Sequence, residues 1–584
     1  MKRLTFLRIL MLCCFFAMNT AGSDARDGIV WQFKTAGMIT ASPLICDGKV
    51  YCGSDDAYLY CRNALTGEAV WSYFTGTPVL STPVVSNGIV FFESGNSLYS
   101  LNAQTGDEVW KFDPGSDTLA GRIDPWDYHH ASPVIDDTVV YYGCGNGVLY
   151  GIEIETGSAV LQYQTVGHSP IRSTPLVHHG IIYFGDWHSR LYALDIAVRD
   201  TLWTYETVVP TPKDGFGFGA VVTDFILYDN ALYFGARNNT VRAVDVTTGK
   251  DKWSVYDPTY SWMPGYPVVC DSVLYIGGSD NHSLWALDAN TGEKIWAYAA
   301  GQNIFTRPLV MDDRIIISSG LSGTPDTPNP FSKGYLHLID RSTGKMKNKV
   351  TVKGNTFSSP VMESGIVYFG SNDSTLYAID SAWLFRPIPG ISFEQVAGIS
   401  LGTITEDAVA GIAVINNGEL SDTIKIEVTP SKPLPEGSIG LSGEYLTVPS
   451  GQSALLEVAI YPQAMEPGNY SLTVKFISGE LDWLELTKKI SFKIPVASEM
   501  TDNAGIDEYR LFPNPADDRL TVSGTKPCKG IEFYNMYGAL VFKKPIGDDG
   551  CHVNVGFLNA GTYVIKLISP EGESFRKTIL VIRH

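Results

Sequence analysis

Between Asp113 and His130 the chain gathers Arg122, Asp124, Trp126, Asp127, Tyr128, His129 and His130, the densest group of side chains able to do chemistry. Adjacent histidines beside carboxylates are donor types of a metal site, and Trp126 offers a face on which a sugar or quinone ring could stack. Their spacing matches no defined metal motif, so Trp126, Asp127, His129 and His130 are candidates for ligand contact, with no metal ligand or catalytic residue assigned. Arg172 and Arg307 each stand just before an apolar run, with Phe218 and Phe305 nearby. That placement suggests a funnel with two cations, although arginines there also suit backbone carbonyls. Trp187 and His188 replace an ordinary turn tip and Thr324 to Lys333 enlarges another, and exposed insertions of this kind suit protein contact. His178 and His179 fall in a turn, where solvation accounts for them. There is no nucleophile motif and no glycine-rich phosphate loop opening a helix.

The elements that must position these residues are short strands. Val273 to Trp296, VLYIGGSDNHSLWALDANTGEKIW, reads as two apolar strands, a reversal at Ser279 to Ser283, a second reversal at Asn290 to Gly292, and an outer strand ending in tryptophan. The pattern recurs with first strands at Pro43, Pro83, Pro133, Pro175, Ala220, Pro267, Pro308 and Pro360, a period of about 40 to 52 residues that fits four-stranded propeller blades. Second strands such as KVYCGS, IVFFES, VVYYGC and IVYFGS are rich in β-branched and aromatic residues, without helical periodicity. The tips between second and third strands carry Asp, Asn and Gly, which tolerate positive φ. Thr-Gly turns follow at Thr66, Thr105, Thr156, Thr248, Thr291 and Thr343. Asp195, Asp245, Asp288, Asp340 and Asp380 recur before such turns and are expected to accept backbone hydrogen bonds rather than bind calcium. Outer strands place Trp71, Trp110, Trp203, Trp253 and Trp296 as wedges between blades, with Leu161 and Met346 at the equivalent places.

The eighth repeat stops at Asp380 without its outer strand. Asp27 to Phe33, DGIVWQF, resembles Thr66 to Trp71, so the N-terminal segment is expected to complete the last blade and leave no open edge. With LWALDANTGEKIW and LYAIDS as its signature, the segment from Gly28 to Asp380 resembles the pyrroloquinoline-quinone (PQQ)-type propeller repeat. This repeat occurs in quinoprotein alcohol dehydrogenases and in the non-enzymatic propeller of the outer-membrane barrel-assembly machinery. The dehydrogenase branch implies PQQ with calcium, yet its adjacent cysteine pair is missing here, and no position matches its calcium ligands or catalytic acid. No cofactor is therefore expected outside that alternative.

Beyond Arg386 the repeat grammar ends. AVAGIAVIN, TIKIEV, SALLEVAIY, YSLTVKFI and KKISFKI, separated by Pro, Gly, Asn and Ser, suggest an immunoglobulin-like sandwich over residues 387–497. After a polar linker at 498–507, the segments LFPNPADDRLTV, IEFYNMYGALV and LNAGTYVIKLISPEGESFRKTILVIR resemble the C-terminal sorting domain of type IX secretion cargo, covering 508–584. That family's domain directs passage through the outer membrane and is commonly removed, leaving cargo released or attached at the surface.

The N-terminus agrees with export. Lys2 and Arg3, the apolar run Ile9 to Met18 and small residues to Ala25 read as a signal peptide over 1–25, too short for a membrane span. A net charge of -19 argues against nucleic acid as a partner. Cys46, Cys52, Cys61, Cys144, Cys270, Cys528 and Cys551 follow the signal region. Cys52 and Cys61 could share a sheet face, Cys528 and Cys551 could form a bridge, and buried free thiols are the alternative. The sequence thus predicts an all-β, monomeric chain: an eight-bladed β-propeller over 26–386 followed by an immunoglobulin-like β-sandwich and a small β-sandwich sorting domain. Its expected role is a cell-surface or secreted binding or scaffold protein for a protein or glycan, with a quinone-dependent dehydrogenase as the alternative.

Overall fold

The computed structural model describes residues 28–115, 123, 130–207, 220–259, 262–320, 333–393, 398–481 and 484–495, and beyond them 509–512, 519–524, 529–535, 540–545, 551–555, 558, 561–568 and 574–581. Trp126, Asp127, His129, Phe218, Cys528, the signal region and most of 321–332 lie outside the described residues.

Eight four-stranded antiparallel sheets lie between Ile29 and Asp380. Seven are consecutive meanders. In the eighth, Val361–Glu363, Ile366–Ser371 and Thr375–Asp380 are completed by Ile29–Lys34, with Trp31 opposite Ala378. The second and third strands of most of these sheets are buried on both faces, which explains their continuous apolar sequence; the third strand of the first sheet, Tyr58–Asn63, is buried on one face only. Eight apolar clusters fill the junctions between successive sheets, including one that joins the eighth to the first through Tyr368, Leu376 and Ala378 against Ile39, Val50 and Cys52.

The tryptophans do more than fill space. The indole N–H groups of Trp31, Trp71, Trp110, Trp203, Trp253 and Trp296 donate to Ala64, Ala103, Ile154, Val246, Ala289 and Arg341 carbonyls of the next sheet. Three of those carbonyls also accept a tyrosine hydroxyl, from Tyr368, Tyr51 and Tyr233. Each ring lies over the Thr-Gly glycine of that next sheet, as Trp253 does over Gly292. The recurring acids cap the turns: Asp195, Asp245, Asp288 and Asp340 each accept two backbone N–H bonds through Oδ1, and Asp380 accepts one from Ala382.

Three sequence expectations need correction. Phe225, not Ala220, precedes the fifth first strand, Ile226–Tyr228, standing where the other seven sheets have proline. Asn348, not Met346, occupies the tryptophan place of the seventh sheet: it stands five residues after Thr343, as Trp296 does after Thr291, and lies opposite Leu338 as Trp296 lies opposite Ala286. The Asn348 amide donates to the Leu384 carbonyl of the helix Ser381–Leu384, and Trp383 from that helix covers Gly28 instead. Finally, Cys61 pairs in register with Tyr51 and Cys52 with Tyr60, so the two thiols point to opposite sides of the sheet. Cys46, Cys52, Cys61, Cys144 and Cys270 are free.

Residues 391–494 form a four-stranded and a five-stranded sheet around one core that includes Ile412, Val414, Leu456, Val474 and Phe476. In the larger sheet Ile399–Thr403 runs parallel to Glu485–Ile494. A three-stranded and a four-stranded sheet between Tyr509 and Val581 share a second core of Leu520, Ile531, Phe533, Val553, Ile565 and Leu567. Among the described residues no helix is long and apolar enough to cross a membrane.

Candidate functional site

The eight sheets have two unlike faces. On one, the two-residue turns between first and second strands receive the Thr-Gly turns, as Ala64 N–H donates to Gly48 and Ala289 N–H to Ser272. On the other, each hairpin tip packs on the connection entering its own sheet: Asp55 N–H donates to Met38, Trp187 to Pro170, Arg237 to Ala220 and Ser279 to Trp262. The described ends of both long connections, 113–133 and 207–225, and of the enlarged tip 320–333 lie on this second face.

The connections end in a common pattern before each first strand. The residue just before the Pro43-type position is Ser42, Thr82, Ser132, Thr174, Asp224, Tyr266, Arg307 or Ser359, and seven of these eight remain at least partly exposed between buried neighbours. Their hydroxyls tie neighbouring sheets: Thr82 N–H donates to Ser132 Oγ, Ser132 to Thr174, Arg307 to Ser359, and Ser359 to Ser42. First strands of successive sheets approach one another, so this belt lines the inner wall. The residue one place earlier points into its own sheet, where Ser81, Ser173, Thr223, Thr306 and Ser358 bond the backbone twelve residues on.

His130 stands two places before the belt residue Ser132, on the same connection, and is buried. Its Nδ1 lies 3.1 Å from Glu93 Oε2, and Glu93 Oε1 accepts the Asn96 N–H at 2.5 Å. Against a carboxylate acceptor Nδ1 carries the hydrogen, and the buried Nε2 has no hydrogen-bond partner among the described residues. Glu93 was not singled out from sequence. The signal was present in IVFFES, where Glu93 replaces the residue that is Gly53, Gly143, Gly185, Gly235, Gly277, Ser318 or Gly370 in the other sheets.

Arg172 is buried, whereas Arg307 has a side chain 48% exposed. The two are not equivalent: Arg172 stands three residues before Pro175 and Arg307 one before Pro308, so they enter the wall at different depths. Arg307 reaches across Tyr266, whose ring centroid is 5.9 Å from its guanidinium, and pairs with Asp224 Oδ2. Trp187 is buried rather than exposed. It packs with Ala220, Val222 and Ile123, under the Arg237 guanidinium 4.6 Å from its ring. His188 beside it is exposed and anchored by its N–H to Ser169 Oγ. Phe305 meets Phe357 across the seventh and eighth sheets. Among the described residues no three His, Cys, Asp or Glu side chains assemble as a metal donor set.

Residues 20–208, 112–254 and 237–324 match the profile of the outer membrane protein assembly factor BamB, together more than half of the chain. Residues 510–581 match a secretion system C-terminal sorting domain. The chain is 23% identical to tetrathionate hydrolase of Acidithiobacillus ferrooxidans over 58% of its own length and 72% of that protein. It is 26% identical to BamB of Yersinia pestis over 59% and 71%, respectively. With quinohemoprotein alcohol dehydrogenase ADH IIB of Pseudomonas putida it shares 31% identity over 21% of this chain, spanning 19% of that enzyme. The crystal structure of BamB from Moraxella catarrhalis aligns over 60% of this chain and 99% of its own, with a TM-score of 0.48 and 16% identity. The chain belongs to the BamB-like family of PQQ-type propeller-repeat proteins and carries a type IX C-terminal sorting domain.

Proposed function

We propose that this chain is a cell-surface or secreted binding protein whose propeller recognises a protein or glycan through the face of long connections. In this reading the eight sheets are the blades of one closed ring, residues 391–494 an immunoglobulin-like spacer, and the C-terminal module the part read by the type IX machinery. The asymmetry of the two faces carries the proposal. Uniform two-residue turns on one side hold the ring together, while sequence length varies on the other, where loops on a rigid scaffold supply recognition. His130, Arg172, Trp187, His188 and Arg307 all belong to that variable face.

A photo-crosslinking residue at His188 tests it in the full chain at the cell surface, with a second at Arg199 on the opposite face. Adducts confined to position 188 are expected, and adducts confined to position 199 would overturn the assignment of the face. The quinone-dependent dehydrogenase is the second reading, favoured by the partial similarity to quinohemoprotein dehydrogenases. Adding quinone and calcium to purified protein separates the two: a cofactor spectrum with dye-linked alcohol oxidation supports the enzyme, and its absence the binding protein.

A further inference from the structure

The belt of side chains on the inner wall changes character over one sector. On the first four sheets and the eighth it is Ser42, Thr82, Ser132, Thr174 and Ser359; on the fifth, sixth and seventh it is Asp224, Tyr266 and Arg307. The hydroxyls of Ser132, Thr174, Ser359 and Ser42 accept a backbone N–H from the neighbouring sheet, which leaves their O–H groups to donate. No hydroxyl of that kind stands in the other sector. Instead Arg307 bridges from the seventh sheet to Asp224 on the fifth, over the ring of Tyr266.

This sector has a defined chemistry. Asp224 uses Oδ2 for Arg307, while Oδ1 has no partner among the described residues and is shielded from solvent, although the side chain as a whole is 16% exposed. An unpaired buried acceptor is unfavourable, and a ligand donor would relieve that. The guanidinium carries five N–H donors in a fixed fork, and one of them reaches Asp224. Acceptor and donor thus lie side by side, in a pair of no net charge, next to an aromatic ring. An anion would gain Arg307 but meet Asp224 in a chain of net charge -19, and a cation would meet Arg307. A neutral group with one donating and one accepting oxygen on adjacent carbons satisfies both.

We propose that the wall between the fifth and seventh sheets binds a neutral saccharide through a vicinal hydroxyl pair. This rests on the binding reading above and narrows it to a site and a ligand class. One hydroxyl donates to Asp224 Oδ1 as the more exposed Arg307 turns to admit it, and its neighbour accepts from the Arg307 guanidinium. Tyr266 offers its ring to the sugar C–H face, and the hydroxyls of the remaining belt face the rest of the chain of sugars.

Calorimetry and saturation-transfer NMR on the full chain test the site, with maltohexaose, cellohexaose, xylohexaose and mannohexaose as neutral probes and hexagalacturonate as the anionic one. At least one neutral probe is expected to bind and hexagalacturonate not to. Asp224→Ser with Arg307→Ser extends the hydroxyl belt of the other sheets, so the ring keeps its fold, as its melting temperature checks, and affinity falls at least tenfold. Arg307→Gln, which keeps a donor but no charge, loses less. Failure of every neutral probe, tighter binding of hexagalacturonate, or unchanged affinity in the double variant would each overturn the proposal. Crosslinked partners at position 188 without saccharide binding would remove this site and leave the broader reading standing.

Discussion

At single positions, the tryptophan junctions show why particular residues recur. Gly292 has φ 76° and a Cβ there would come within 2.8 Å of the Trp253 ring, so both backbone and space demand glycine. Gly88 has the same φ of 76° with nothing within 4 Å of a Cβ, so backbone alone demands it. Gly88→Ala should cost about 1–2 kcal/mol for left-handed backbone. Gly292→Ala should add about 1–3 kcal/mol of overpacking, read as a larger drop in urea midpoint. Equal losses would show that the indole does not set the requirement. Arg199 supports the distinction: it holds the glycine place of the fourth sheet at φ 61°, where the preceding sheet presents Leu161 instead of tryptophan. Tryptophan and glycine recurrence was legible in sequence because it repeats, whereas Glu93 and Asp224 are single departures within repeats and carry no periodic signal. His337 is another such departure. It bonds Ser319 Oγ at 2.8 Å and Tyr298 hydroxyl at 2.9 Å, and burial pushes its pKa down to about 3. The unfolded chain takes up a proton near the ordinary histidine value of about 6.5 that the folded chain refuses. Its contribution is therefore full above about pH 6.5 and is lost as pH falls toward 3, at up to about 1.4 kcal/mol per pH unit. Between pH 7 and 5 wild type should lose about 2 kcal/mol more than His337→Gln, measured by denaturant titration. Parallel pH profiles would count against the neutral buried imidazole.

At the level of strands, the first sequence to emerge is paired with the last of the ring. Ile29–Lys34 covers the edge of Thr375–Asp380, Trp31 and Tyr368 converge on the Ala64 carbonyl, and Ser359 N–H meets Ser42 Oγ. These contacts repeat the chemistry of junctions within the meanders, such as Trp71 and Tyr51 on Ala103. Removing Gly28–Lys34 would uncover a strand edge and strip the contact of the partly buried Trp31 with the first sheet. The expected outcome is loss of the cooperative propeller transition in calorimetry, and an unchanged transition would mean that closure does not depend on this strand. The similarity of Asp27 to Phe33 to the outer strands made the pairing readable. Departures from the repeat were harder. Asn348 hides the tryptophan place of the seventh sheet because it is polar, although its register opposite Leu338 matches that of Trp296 opposite Ala286, and Phe225 hides a strand start because it stands where the other seven sheets have proline. Cys52 and Cys61 were misjudged for a different reason: their faces depend on hairpin register, which residue types alone do not fix.

Across the whole molecule, the C-terminal module is separate in its energetics from the propeller, since its nine buried apolar residues form a core of their own. Its four-stranded sheet ends with Gly561–Ile568, which supplies Tyr563, Ile565 and Leu567 to that core, and Ser574–Val581. Replacing Asn559 to His584 with a neutral tag of equal length removes two of the four strands. The remaining sheet would expose Ile531 and Phe533, two of the largest apolar contributions to so small a core, and the module should unfold while the eight sheets keep their junction clusters. A type IX sorting module presented unfolded cannot be recognised as a surface, so the variant should accumulate in the periplasm with the propeller melting transition at its wild-type temperature. Cell fractionation and calorimetry on the same variant check both halves. Wild-type delivery to the surface would contradict the sorting role, and a collapsed propeller transition would contradict the independence of the two cores.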